Sequence, residues 1–385
     1  MSATLLVGGQ VLLDGALKSG KALAIDNGRI VAICDAGEAA GEVAMAAAVV
    51  DLDGGIVLPG FIDVQVNGGG GRLFNADPSV ETIRLIAETH ARFGTTTLLP
   101  TLISDELDKV EAAIVAVDAA IEAGVPGIVG IHLEGPFLST DRKGVHDETK
   151  FREFEERHID LMSSLKHGRT MVTLSPERAA PKVIAGLRAR GAVVSAGHTN
   201  ASYEQMRAAL EAGVTGFTHL FNAMSPLNSR EPGVVGAALE DRESWCGLIV
   251  DGHHVSPVTM KLAMRCKSID KFILVTDAMP SVGMEDGSFM LQGRRIHVED
   301  GICITDDGTL AGSDLDMARA LRNAVAMLDV DIGQASAMAS RNPAAFIGIA
   351  DDRGTIREGA RADLVVLDEQ MHVRSTWIDG AKVHG

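Results

Sequence analysis

Eight short apolar runs alternate with stretches of helical period through the middle of this chain, and that alternation leaves few architectures open. The runs begin near Phe61 (FIDVQV), Thr96 (TTLLPTL), Ile128 (IVGIHL), Met171 (MVTLS), Ala192 (AVVSA), Val214 (VTGFTH), Cys246 (CGLIVD) and Phe272 (FILVTD). Between most of them lie amphipathic segments such as SVETIRLIAETHARFG, DKVEAAIVAVDAAIEAG and SYEQMRAALEAG. Near-continuous apolar strands, each followed by a helix, require a parallel sheet covered on both faces. Eight of them favour closure into a (β/α)8 TIM-like barrel. An open doubly wound sheet would want a phosphate-cradling glycine loop beside a nucleotide crevice.

The two ends of the chain read differently. Residues 1 to about 57 form short strand-like runs with turn signals, and Asn27-Gly28 suits a hairpin turn whose two central residues both take positive φ. The last 35 residues repeat the style in ADLVVLDEQMHVRSTWIDGAKV. A small β-sandwich domain built from both termini, 1–57 with 351–385, is therefore expected beside a barrel spanning 58–350. After the eighth run, residues 288–309 read as a β-insertion, and helices resume from about Asp314 to Ile349.

Charge and cysteine usage remove several classes of function. A formal net charge of −17 argues against nucleic acid or an anionic membrane surface as partner, and an anionic substrate would need local positive groups. Cys34, Cys246, Cys266 and Cys303 form no C-x-x-C pair and no zinc-knuckle spacing, so they read as reduced and mostly buried, consistent with a cytoplasmic chain. The start, MSATLLVGGQVLLDG, lacks the basic region of a signal peptide. No apolar stretch reaches the roughly 18 residues that a membrane span needs.

Reactive groups of a barrel sit at the C-terminal ends of its strands, where loops vary without harming the core. The polar residues fall there: Asp63, Gln65 and Asn67 on the first run, His132 and Glu134 on the third, His198, His219 and Asp277 on the fifth, sixth and eighth. A single strand-end histidine is more often a hydrogen-bonded structural residue, but several on one rim point to a divalent metal with a base beside it. Gln65-x-Asn67 stands where His-x-His would bind a second metal, since residues i and i+2 of a strand share a face. Amides are much poorer ligands than imidazoles for a zinc-like ion, so one site is expected rather than two. The glycines between Asn67 and Arg72 lack the Lys-Ser/Thr of a P-loop and read as close backbone approach at the barrel mouth. Cys246 has no neighbouring histidine in sequence and reads as buried filler.

The ordered set PGFIDVQVNG, HLEGPF, KGVH, SAGHTNA, THLFNAM, REPG, DGHHV and LVTDAM resembles the N-acetylglucosamine-6-phosphate deacetylases of the amidohydrolase superfamily, over essentially the whole chain. The resemblance implies that Glu134, His198 and His219 hold the metal and that Asp277 is the catalytic acid/base. It further implies sugar-phosphate contacts at Val145, His146, Asn222, Ala223, Arg230, His254, Leu310, Ala311 and Gly312. It implies a homodimer in which Arg230 reaches into the neighbouring subunit, and the Gln65-x-Asn67 pair is similar to the one-metal branch of that family. Zinc is the expected ion, although one carboxylate and two imidazoles suit iron, manganese or cobalt as well.

Three rival readings remain at this stage. The galactosamine epimer as substrate is the nearest. Another amidohydrolase activity is a second, but such enzymes commonly bridge two metals with a modified lysine, and no lysine stands at a strand end here. A catalytically silent barrel used as a scaffold is the third, and it would need none of the four metal and base residues.

Overall fold

The computed structural model describes residues 3–37, 48–285 and 287–385. Strands β1 (Thr4–Leu13), β2 (Ala16–Asp26), β3 (Arg29–Asp35), β4 (Ala48–Asp51) and β5 (Ile56–Pro59) come first. The eight expected runs then form β6 (Phe61–Val66), β9 (Thr95–Ile103), β10 (Gly130–Glu134), β11 (Arg169–Leu174), β12 (Val193–Ala196), β13 (Gly216–Phe217), β14 (Trp245–Leu248) and β15 (Phe272–Leu274). A small ribbon, β7 (Gly68–Gly69) with β8 (Arg72–Leu73), occupies the glycine-rich loop between β6 and β9.

Those eight strands pair in chain order, every pair parallel. The ring closes between its two ends. Val66 bridges Ala278, the Asp277 amide donates to the Gln65 carbonyl at 3.0 Å, and the Asn67 amide donates to the Ala278 carbonyl at 2.9 Å. All six residues of β6, all nine of β9 and all five of β10 are buried. The polar residues that alternate with apolar ones in β6 (Asp63, Gln65) and β10 (His132, Glu134) are therefore buried with them rather than solvated, as in a sheet covered on both faces. Helices clothe the outside with one apolar stripe each. Leu107–Glu122 buries Val110, Ala113, Ile114, Val117 and Ala120 while Val115 faces solvent. Tyr203–Ala212 starts on a reciprocal Ser202–Gln205 cap and stops at Gly213, whose φ of 121° only glycine adopts readily.

Both termini build one further sheet, as expected. Strands β20 (Leu364–Leu367), β21 (Val373–Ile378) and β22 (Ala381–His384) continue from β5, giving the order β22-β21-β20-β5-β1-β2-β3 with β4 also on β1. The sheet curls until its β3 edge meets the segment just before β20, where Ile30 exchanges backbone hydrogen bonds with Gly359 and Ala360. Leu6, Leu23, Ile30, Val57, Leu364 and Trp377 share the resulting core. Asn27 and Gly28 turn between β2 and β3 with φ of 48° and 79°. Gly60 sits where β5 hands over to β6, and a Cβ there would lie 2.2 Å from the Thr96 hydroxyl. Arg353 ties the sheet to the barrel, reaching Asp363 at 2.5 Å and Thr97 of β9 at 3.0 Å.

The β-insertion is a four-stranded meander: β16 (Ser288–Leu291), β17 (Arg294–Glu299), β18 (Ile302–Thr305) and β19 (Leu310–Ser313). Helices follow at Met317–Met327, Ile332–Ala339 and Arg341–Phe346. Among the described residues no helix is long and apolar enough to cross a membrane. The cysteines depart from expectation in part: Cys246 and Cys303 are buried, whereas Cys34 is half-buried and Cys266 is exposed.

One buried acid on β6 carries a pH signature. Burial pushes the Asp63 carboxyl up to about 7, although Thr276 and the Gln65 amide donate to it. A carboxyl raised above its unfolded value of about 3.9 stabilises the fold fully below that value, and the contribution is lost as pH rises through 7. Asp63→Asn keeps the neutral form, because the Thr276 hydroxyl can turn to the Gln65 carbonyl 3.3 Å away. The urea midpoint of the variant should therefore gain on that of the wild type as pH rises from about 4 to about 7, leaving the variant the more stable at pH 8. A gap that does not change with pH would refute the assignment.

Candidate metal centre and active-site cavity

Glu134 is the last residue of β10, and His198, His219 and Asp277 each follow their strands by two or three residues. His198, His219 and Asp277 take positive φ, at 47°, 34° and 53°. A side chain in that region is strained, and strain of this kind persists only where surrounding structure holds it. Here a left-handed residue two or three positions past each strand brings its side chain to the wall of one shared cavity.

Glu134, His198 and His219 are 1%, 6% and 3% exposed. His219 Nε2 lies 3.0 Å and His198 Nε2 3.3 Å from Glu134 Oε1, and the two Nε2 atoms are 3.2 Å apart. Their candidate ligand atoms all fall within 4.8 Å of one another. His198 Nδ1 faces the Arg142 carbonyl at 2.9 Å, which fixes that nitrogen as the donor and leaves a lone pair on Nε2. Two imidazole nitrogens turned toward each other and toward one carboxylate fit a single divalent cation with an open coordination position. Burial alone would raise the Glu134 carboxyl, but its close contacts with the His198 and His219 rings hold it well below the usual range. Burial would lower His219, and the Glu134 contact outweighs it and raises that imidazole.

Gln65 and Asn67 point at the carboxylates rather than away from them. Gln65 Nε2 lies 3.2 Å from Glu134 Oε2 and 3.2 Å from Asp277 Oδ1, and Asn67 Nδ2 donates to Asp277 Oδ1 at 2.7 Å. Amide hydrogens thus cover the lone pairs that a second cation would use. Asp277 Oδ1 is occupied by these donors, leaving Oδ2 for chemistry. Burial, then the neighbouring Glu134 charge, pushes the Asp277 carboxyl up to about 6.

The four residues line a cavity of about 340 Å³ together with Val145, His146, Asn222, Ala223, His254, Leu310 and Gly312. Ala311 is buried directly behind that wall. Arg230 is exposed and does not line the cavity of its own chain. Of the paired histidines, His253 is exposed and His254 turns in. His254 Nδ1 meets Asp251 Oδ2 at 2.6 Å, and Asp251 Oδ1 accepts the His253 and His254 amides. Burial alone would raise the Asp251 carboxyl, and those contacts with His254 lower it. His146 is buried, its Nδ1 2.9 Å from Ser104 Oγ and 3.4 Å from the Ser104 amide. Burial, then the His198 charge, pushes its imidazole down to about 3, so the ring is neutral. Gly144 takes φ of 56°, and a Cβ there would come within 3.1 Å of His198 Cε1.

Sequence reading missed several members. Arg142 lines the cavity and orients His198 through its carbonyl, a role that no side chain advertises. Asp251 was legible in principle, since an acid three residues before a turn histidine is well placed to bond it. His132 does not join the metal group. Its ring bonds the hydroxyls of Thr101 and Thr173, and a chain of hydroxyls continues through Thr218 to Ser195 beneath the site. Burial pushes the His132 imidazole down to about 4.

Residues 56–383 match the amidohydrolase family. The chain is 45% identical over 330 residues to an N-acetylgalactosamine-6-phosphate deacetylase of Shewanella sp. (strain ANA-3), covering 86% of this chain and 83% of that one. It is 35% identical over 334 residues to an N-acetylglucosamine-6-phosphate deacetylase of Haemophilus influenzae, covering 86% and 87%. The N-acetylglucosamine-6-phosphate deacetylase of Pasteurella multocida superposes with a TM-score of 0.94 at 33% identity over 99% of both chains.

Glu134→Gln should weaken metal binding by more than the roughly 10–100-fold that loss of an outer partner costs. Elemental analysis after dialysis checks it, and full metal content in the variant would remove Glu134 from the ligand set.

Proposed function

Because the chain belongs to the amidohydrolase family, we propose that it hydrolyses the acetamide of N-acetyl-D-glucosamine 6-phosphate to D-glucosamine 6-phosphate and acetate. The observation that carries this reading is the meeting of Glu134, His198, His219 and Asp277 in one cavity, in a chain similar to sugar-phosphate deacetylases. Glu134, His198 and His219 are the proposed metal ligands, with zinc favoured over iron, manganese or cobalt. A divalent ion bound there supplies Lewis acidity that readies a water for attack and polarises the acetamide carbonyl.

The protein's own groups carry the protons. Asp277 Oδ2 accepts one from the attacking water, while Gln65 and Asn67 hold Oδ1 and keep the carboxylate aimed. The same oxygen then delivers the proton to the sugar nitrogen as the carbon–nitrogen bond breaks, so that the amine leaves neutral. His146, neutral and anchored through Nδ1, carries its proton on Nε2 and donates to the substrate oxygen that gains negative charge. His254, fixed by Asp251, and the Asn222-Ala223 and Leu310–Gly312 segments are the proposed sugar-phosphate contacts. Arg230, exposed on its own chain, is proposed to complete the phosphate site of a second subunit in a homodimer. The absence of any paired-cysteine motif supports a cytoplasmic setting.

The 45% identity to an N-acetylgalactosamine-6-phosphate deacetylase favours a second reading, in which the C4 epimer is the preferred sugar. Acetate release from both phosphorylated epimers, and from unphosphorylated N-acetylglucosamine, separates the two. The reading fails if neither phosphorylated sugar is turned over or if a chelator leaves turnover intact.

Asp277→Asn should keep its metal yet lose about 10³-fold or more in kcat, of the order expected for removal of a general acid/base. Wild-type activity needs Asp277 ionised, so it should fall as pH drops through a limb at or below about 6, since a cation beside the carboxylate pulls that value down. Near-normal turnover by the variant would refute the role. Arg230→Ala should raise KM for phosphorylated sugar about tenfold or more with a smaller change in kcat, as loss of a charge-assisted phosphate contact does. An unchanged KM would take Arg230 out of the phosphate site.

A further inference from the structure

Gln292 and Gly293 form the two-residue turn between β16 and β17, with φ of 47° and 80°. Such a turn prefers Asn, Asp or Gly at its first position, where a longer side chain adds strain and no local hydrogen bond. The chain uses Asn in the equivalent turn at Asn27-Gly28. The reason for glutamine is its reach to two barrel loops beside the cavity. Gln292 Nε2 donates to the Ser104 carbonyl at 2.7 Å, and Gln292 Oε1 accepts the Asp147 amide at 3.0 Å. Ser104 follows β9 and Asp147 lies in the loop after β10, so one amide joins two barrel loops from outside the barrel. His146 stands between those anchors, bonded through its ring to Ser104 and through the chain to Asp147. Around the clamp, Leu291, Ile296, Cys303 and Ala311 of the insertion pack on Ile103 and Val145 of the same two loops. At its other end, the insertion is fastened to the second half of the site, where the Ser313 amide donates to the Asp277 carbonyl at 2.9 Å.

We infer that Gln292 is a positioning residue for the deacetylation: its amide locks His146 in place, and the β-insertion is the rigid frame that carries it. This rests on the proposed reaction for its kinetic consequence, though not for its geometry. With Ser104 and Asp147 tied together, the His146 ring has its Nδ1 fixed as acceptor and its Nε2 fixed as donor. Without the amide, both neighbours of the ring are released at once, and the donor drifts from the oxygen it must meet. A misplacement of about 1 Å is enough to cost on the order of 100-fold in rate.

Gln292→Gly tests this in the metal-loaded protein, because glycine suits the left-handed turn while removing the side chain that carries the amide. The expected result is a kcat reduced about 10–100-fold with KM changed less than about threefold, and with metal content and melting temperature maintained. In a His146→Gln background the same change should have less than about a twofold further effect, since residues acting as a unit are not additive. Amide exchange at Asp147 should accelerate at least about tenfold in Gln292→Gly while the barrel strands keep their protection. A kcat within about twofold of wild type, or effects of the two substitutions that multiply, would overturn the inference. Wild-type protein inactive on both phosphorylated epimers would overturn the proposed function instead, and the Asp147 exchange rate would then decide the clamp alone.

Discussion

Two carboxylates, the buried Glu134 and the half-buried Asp277, stand side by side at the barrel mouth, and the arrangement of everything near them answers that charge. Neither can be removed from water cheaply without donors or a cation. Gln65 supplies one amide to both, Asn67 supplies a second to Asp277, and His198 and His219 close on Glu134 from the other side. The result is an asymmetric pair. Glu134, faced by two imidazoles, stays ionised, whereas Asp277, held by neutral amides and facing the Glu134 charge, is pushed toward a proton-exchanging range. Two acids with one chemistry thus take different tasks because their neighbours differ.

The barrel seam makes this pairing possible. Asp277 and Gln65 touch twice, once through the backbone bond that closes the ring and once through their side chains. Below them the hydroxyl chain from Thr101 through His132 to Ser195 fills the next layer of the barrel with groups that donate and accept but carry no charge. A polar layer under a charged one avoids setting the ions directly on hydrocarbon, and each hydroxyl can rotate to suit the neighbour above it.

Much of this was legible in the amino acids. β6, β9 and β10 announced themselves through Val, Ile, Phe and Thr, residues that suit strands, although Asp63, Gln65, His132 and Glu134 interrupt two of them. The alternation with helices then put Glu134, His198, His219 and Asp277 on one rim before any distance was known. Less was legible where backbone does the work. Nothing in the letters of β13, only two residues long, shows that His219, two positions past its end, adopts φ of 34° and lines the cavity. The Arg142 carbonyl on His198 is invisible to any search for side chains. Gln292 lies 146 residues from His146 in a segment readable only as an insertion, and its contact depends on a turn folding back beside the cavity. His132 falls on the same rim in the sequence, yet its ring bonds the hydroxyl layer, on the same strand as Glu134 but one layer deeper.

The sheet shared by the two termini has a consequence for the order of assembly on the ribosome. The barrel seam can be sealed once Ala278 has emerged, with more than a hundred residues still to be translated. Strand β5 is different, because its antiparallel neighbour β20 is among the last segments made. At a translation speed of about 5–20 residues per second, β5 waits roughly 15–60 seconds for that partner. In the last part of that wait, the nascent polypeptide presents an open strand edge next to a barrel whose seam can already close, which is the stage at which a chaperone or a neighbouring nascent chain would find it.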